Sequence, residues 1–294
     1  MFYQMIKHRV KHERSFMFQL GNLHGRAVLI RDARSFDLAS ITGDETLASP
    51  LVAVARHEEL HAINDRLNDA EGAHFNPADL AAPIPQPRQV FAIGLNYLDH
   101  AAESQMEPPP APLTFAKFPS CIASPNATVE LSGSFVDWEA ELVVVIGQEC
   151  RHVSEETAWS VVAGLSVGQD ISDRVVQFTG APPQFGLGKS FETYGPFGPT
   201  IVSIDAVPNP DDLALSCSVN GETMQNARTS EMIFSVPQQI AYLSSICRLF
   251  PGDVIFTGTP SGIGASRGQF LKDGDLIVSS IEGIGEIQNR CVVA

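Results

Sequence analysis

The sequence predicts a β-rich α+β fold, and three observations carry that prediction. Short apolar runs of strand type recur along most of the chain. The 294 residues include 23 Gly and 20 Pro, enough turn formers to separate those runs. Helical spacing of apolar residues is confined to a few segments. A chain of this length admits one large domain or two unequal ones, with a sizeable core.

Taken in order, residues 1–16 read as a disordered tail or an over-long gene start, because Met17 opens the first patterned stretch. Residues 17–87 read as a small N-terminal domain and linker. Its strands are Phe18–Leu20 and Ala27–Ile30, parted by Gly21 to Gly25, and the spacing of Leu51, Val54, Leu60 and Ile63 predicts a helix over 50–66. Four prolines between Pro77 and Pro87 mark a linker and a boundary near 87. In residues 88–294, β-type runs fall at Val90–Leu95, Glu139–Ile146, Leu213–Val219, Val254–Thr257 and Leu276–Ile281. Two helices interrupt them. One follows an N-cap at Ser154, with Glu155 and Glu156 in its first turn, and the other lies near Pro237–Leu249.

Composition narrows the function. With 44 % hydrophobic and 18 % charged residues the chain is not disordered. Its net charge of −15 argues against nucleic acid, whose phosphates would be repelled. The apolar runs are too short to span a bilayer. Residues 1–15 carry a local +3, from Lys7, Arg9, Lys11 and Arg14 against Glu13, but lack the apolar core of a secretory signal. Five scattered cysteines without CxxC spacing suit reduced thiols in the cytoplasm and give no zinc or disulfide pattern.

The chemistry concentrates in a few segments. In Asp137-Trp138-Glu139-Ala140-Glu141, a strand would turn Glu139 and Glu141 to the same face. Two carboxylates entering an apolar strand call for a cation or for protons, and oxygen donors favour Mg²⁺ or Mn²⁺ over zinc. The other reading is a strand end whose acids face water. Asp170, Arg174 and Gln177 share one face at i, i+4, i+7 if the turn after Asp170 is helical; a common surface ion pair is the alternative. His100 and Glu103, at i, i+3, make a base oriented by a carboxylate, or else an exposed helical pair. Gly186-Leu187-Gly188-Lys189-Ser190 lacks full phosphate-loop spacing, which leaves Lys189 as a cation for an enolate or carboxylate. Gly258–Gly264 is either a carboxylate-binding loop or a tight turn. No GxGxxG follows a strand and no GxSxG is present, so dinucleotide and serine-hydrolase readings have no support.

In this order, GLNYLDHAAE, FAKFPS, DWEAELVVVIG, QDISDRVVQ, GKSFETYGPFGP, VNGETMQ, LFPGDVIFTGTPSGIG and IEGIGEIQN resemble the fumarylacetoacetate hydrolase family, from about residue 88 to 292. Gly21–Ala39 resembles its small N-terminal domain. The resemblance implies a mixed β-roll, a bound Mg²⁺ or Mn²⁺ and a homodimer. It places metal ligands at Glu139, Glu141 and Asp170, the catalytic dyad at His100 and Glu103, and the active-site lysine at Lys189. It places substrate contacts at Arg174 and Gln177, and the holders of the substrate carboxylate at Tyr97 and Thr259.

The resemblance implies a small anionic oxo acid as substrate, while the net charge and the short apolar runs lead us to expect no nucleic-acid or membrane partner. The reaction expected first is hydrolytic C–C cleavage of a 2,4-dioxo acid of acylpyruvate type through an enolate at the metal. Oxaloacetate decarboxylation and isomerisation or decarboxylation of hydroxymuconate-type diacids are alternatives, and a non-catalytic binding module is a minor one. The third motif departs from the family's NDxSARDxQ pattern at Gln169, Asp173 and Val175, and Glu192 stands where Asp is commoner. Asp173 and Val175 are expected to border the site and to alter what it accepts.

Overall fold

The computed structural model describes residues 17–68 and 72–293; the tail or early start expected at residues 1–16 lies outside them. Among the described residues a 12-stranded sheet forms the frame. Its main path runs Ala73–His74, Arg34–Asp37, Arg26–Arg31, Gln19–Leu23, Gly195–Val202, Val162–Gln169, Ala140–Ile146, Val254–Phe256, Val90–Gly94 and Leu113–Ala116. A five-stranded sheet packs against it, in the order Glu222–Arg228, Ala214–Val219, Leu276–Ile281, Gly285–Val293 and Val129–Leu131.

Ala140–Ile146 is buried along its whole length because both faces are covered. Its alternating side chains serve two cores: Leu142, Val144 and Ile146 pack into the one shared with the five-stranded sheet. Val143 and Val145 pack with Phe197, Phe256 and the N-terminal residues Leu20, Leu29, Phe36 and Leu60. The N-terminal strands join the main sheet through Leu20, which lies opposite Ile201. The proline-rich connection is packed as well: Leu80–Ala81 pairs with Gln19–Leu23, and Ala82 and Ile84 are buried.

Several local expectations need correction. Residues 50–66 form two helices, Pro50–Ala55 and His57–Asp65, divided at Arg56. After Ser154 the chain makes a 3₁₀ helix, Glu155–Val161, and the Ser154 hydroxyl faces Thr157 instead of capping a backbone N–H. The helix near 237–249 is Val236–Ile246, opened by a capping box between Ser235 and Gln238. Gly195–Val202 has two Pro and two Gly, a composition that argues against a central strand. It is central nonetheless, with a register shift where it meets Val162–Gln169.

Candidate metal and enolate site

Strand register assembles the acids. Ala140–Ile146 and Val162–Gln169 are antiparallel, with Ala140 opposite Gln169 and Glu141 opposite Gly168. One residue further, the Asp170 N–H donates to the Glu139 carbonyl at 2.9 Å, which sets Asp170 across from Glu139. Glu139, Glu141 and Asp170 are all buried, and one oxygen from each lies within 4.8 Å of the others.

Three cations surround these acids, the buried Lys117 and Lys189 and the partly buried Arg174. Lys189 Nζ donates to Glu139 Oε2 and to Asp170 Oδ2, each at 2.7 Å. Arg174 reaches Glu139 Oε1 at 2.8 Å through Nη1, and holds Asp137 Oδ2 through Nε (2.9 Å) and Nη2 (2.7 Å). Lys117 Nζ donates to Asp170 Oδ1 at 2.6 Å. Lys189 arrives at the end of the short helix Phe185–Gly188. That helix approaches closely because residue 188 is glycine: a Cβ there would stand 2.6 Å from Gln177 N.

The balance of charge is uneven. With Asp137, four buried carboxylates face three cations, and the excess falls on Glu141. In place of a cation it has the Gly258 N–H at 2.8 Å. Burial, together with repulsion from Asp170 and Glu139, raises the Glu141 carboxyl well above its ordinary range. Burial also acts to raise Glu139, but Lys189 and Arg174 outweigh it and hold that carboxyl well below its usual range. Three convergent carboxylates with surplus negative charge form a hard-oxygen donor set, and the residues fit Mg²⁺ or Mn²⁺.

Of the three acids, Glu139 lines a pocket of about 410 Å³. Its lining includes Glu139, Arg174, Gln177, Lys189 and Thr259, the pair His100 and Glu103, and the rings of Phe115, Phe178 and Phe185. The dyad sits on the helix Leu98–Glu103, with His100 Nδ1 2.9 Å from Glu103 Oε1. Donation from Nδ1–H leaves the lone pair on Nε2. Glu103 is anchored by the Gly262 N–H, 3.1 and 3.0 Å from its two oxygens, and by the Ser266 hydroxyl at 2.8 Å. Burial acts to raise its carboxyl, but the bonds from His100, Gly262 and Ser266 leave it lowered. Gly262 has φ +103°, and an added Cβ would collide with the Met224 carbonyl, so the turn requires glycine.

The loop 258–264 therefore does bind carboxylates, but they are the protein's own. Gly258 serves Glu141, Gly262 serves Glu103, and Gly264 and Ala265 donate to Asp137 at 2.7 and 2.9 Å. The helical face expected for Asp170, Arg174 and Gln177 is replaced by another arrangement. Ser172–Asp173 pairs as a strand with Val136–Asp137, and the helix Arg174–Gln177 begins after it. Arg174 still meets Gln177, with Nη1 donating to Oε1 at 2.8 Å.

The two residues expected to hold the substrate carboxylate are placed differently. Tyr97 lies outside the pocket lining, buried, and its hydroxyl has no hydrogen-bond partner. Thr259 does line the pocket, but its hydroxyl donates to Ala140 O at 2.9 Å and accepts from Gln225 Nε2 at 2.8 Å. The motif departures also lie off the pocket. Val175 points outward at 57 % exposure, and Asp173 caps the helix through Val175 N and Val176 N while accepting from Ser132. Gln169 braces the acids, accepting from Glu139 N at 2.9 Å and donating to Ser279 Oγ at 2.8 Å. Sequence reasoning passed over Lys117 and Asp137. The signal available for both was a charged residue inside an otherwise apolar motif.

Residues 89–292 match the family described as Fumarylacetoacetate (FAA) hydrolase C-terminal. Oxaloacetate tautomerase FAHD2A, mitochondrial, of Homo sapiens is 41 % identical over 215 residues, which cover 72 % of this chain and 68 % of that protein. A solved structure from Mycobacterium smegmatis has a TM-score of 0.89 at 44 % identity, covering 94 % of this chain and 99 % of its own. Maleylpyruvate hydrolase from Sphingobium sp. SYK-6, solved with manganese (II) ion and pyruvate, gives 0.79 at 28 % identity and covers 94 % and 99 %.

Proposed function

The chain belongs to the fumarylacetoacetate hydrolase family, and from that premise we propose that it is a divalent-metal-dependent enzyme acting on a small 2-oxo acid through its enolate. One observation carries the reading: a buried three-carboxylate cluster reaches, through Glu139, the pocket that the oriented His–Glu pair also lines. Glu139, Glu141 and Asp170 would hold Mg²⁺ or Mn²⁺. When bound, that ion supplies Lewis-acid polarisation of the 2-oxo group. His100 Nε2 takes a proton from the carbon beside the carbonyl, and Glu103 holds the imidazolium that results. The C–H electron pair becomes the C2–C3 double bond, and the 2-oxo oxygen gains negative charge. Lys189 and Arg174 stabilise that charge, and Gln177 orients the carboxylate of the substrate. Return of the proton to oxygen completes a keto–enol tautomerisation.

Oxaloacetate is the first substrate to test, supported by the name of the human relative at 41 % identity. Proton transfer replaces the loss of CO₂ as the reaction considered for it. Hydrolysis of a 2,4-dioxo acid of acylpyruvate type is the second reading. The same dyad would activate water for attack on the distal carbonyl, and the Sphingobium structure, named a hydrolase, holds manganese with pyruvate.

The deciding measurement is NMR of the full chain with Mg²⁺ or Mn²⁺ in deuterated buffer, on oxaloacetate and a series of acylpyruvates. The expected result is deuterium entry at C3 of oxaloacetate, or cleavage of an acylpyruvate, above the rate with chelator. Neither outcome with any substrate of the panel overturns the reading. The homodimer implied by the family is checked by sedimentation, where a species of twice 31.7 kDa is expected. Among the described residues no helix is long and apolar enough to cross a membrane. The human relative is named mitochondrial, so the cytoplasmic location expected from cysteine usage is not carried further.

A further inference from the structure

Lys117 is 1 % exposed, and each of its three ammonium hydrogens has a buried acceptor. Nζ donates to Asp170 Oδ1 at 2.6 Å, to the Tyr194 carbonyl at 3.2 Å and to the carbonyl of Lys189. Next to it, the Phe118 N–H donates to Ser190 Oγ at 2.9 Å, so residues 117 and 118 grip the turn that carries Lys189 at two points. The base of this grip is rigid: Lys117 N donates to Val90 O at 3.0 Å, and the Phe256 ring lies 5.7 Å from Nζ. Lys117 does not line the pocket; its hydrogen bonds to the site are to Asp170 and to the Lys189 carbonyl.

We propose that Lys117 is the positioning residue that couples the metal cage to the active-site lysine. It holds one oxygen of Asp170, leaving the other turned toward Glu139 and Lys189, and it sets the backbone from which Lys189 projects. This rests on the assignment of Glu139, Glu141 and Asp170 as the metal ligands. Partners that orient metal ligands in this way are worth roughly 10–100-fold in metal affinity.

Charge and position predict opposite signs, which makes the role testable. If Lys117 acted only as a positive charge beside the cage, its removal would tighten binding of a divalent cation. If it positions Asp170, its removal weakens that binding. The experiment titrates Mn²⁺ into the full chain by electron paramagnetic resonance, for the native protein, Lys117→Met and Lys117→Gln, with thermal melting of each to verify the fold. The expected result is at least a tenfold loss of Mn²⁺ affinity in Lys117→Met, with part recovered in Lys117→Gln, which restores N–H donors without charge. At saturating Mn²⁺, kcat on the substrate identified by the panel should fall further than KM changes, because Lys189 is displaced. Native or tighter Mn²⁺ binding by Lys117→Met overturns the proposal. So does failure of both variants to fold, since a positioning residue is not a requirement for folding. Failure of the native chain to bind Mn²⁺ overturns the metal assignment along with it.

Discussion

In the proposed function His100 and Glu139 divide the labour of the site, one to move a proton and the other to help hold an ion. His100→Ala should lower kcat by about 10²–10⁴-fold. Its Mn²⁺ affinity should stay native, because His100 is not among the three converging acids. Steady-state kinetics paired with a Mn²⁺ titration check both halves. The acids also make stability depend on pH in a defined direction. Without metal, the Glu141 carboxyl lies above its ordinary value of 4.5. Its contribution is therefore complete below that pH and is lost as pH rises through the raised value. Glu139 works oppositely: its contribution is present above 4.5 and lost as pH falls through its lowered value. Urea denaturation in EDTA should thus show stability falling as pH rises above 4.5, from the Glu141 contribution. Glu141→Gln should remove that fall, and an unchanged slope in this variant would refute the charge assignment.

At the level of elements, the site hangs on short pieces that could not stand alone. The helices Leu98–Glu103 and Arg174–Gln177 have six and four residues, too few to be stable in isolation. Each is tied at its functional residue to the segment 258–266: Glu103 to Gly262 and Ser266, and Arg174 through Asp137 to Gly264 and Ala265. Val236–Ile246, by contrast, is an 11-residue helix with its own cap, and it lies outside the pocket lining. Ser235→Ala should cost about 0.5–2 kcal/mol in chemical denaturation. Its kcat should remain native, and a large kcat loss would show that this helix is coupled to the chemistry.

For the molecule as a whole, chelation should abolish turnover and lower the melting temperature, with both restored by Mn²⁺. At 100 times its Kd the ion should add about 2.7 kcal/mol of stability. Activity that survives exhaustive chelation would remove the metal from the mechanism. Much of this architecture is legible in the chain itself. Apolar runs located Val90–Gly94, Ala140–Ile146, Val254–Phe256 and Leu276–Ile281 to within a residue or so. The i, i+3 spacing put His100 against Glu103, because the period of a helix brings such residues together whatever surrounds them. Gly195–Val202 was not legible, since its prolines and glycines oppose strand propensity and only its neighbours make it a strand. Nor was the Lys117–Asp170–Lys189 cluster, or the service of loop 258–264 to the acids at 103, 137 and 141. The sequence by itself determined that the apolar runs extend, that His100 meets Glu103, and where the paired acids stand, because backbone periodicity acts over a few residues. Only the tertiary structure decided which cation meets which acid. Those pairs lie 19 to 53 residues apart, and the register between strands brings them within hydrogen-bond reach.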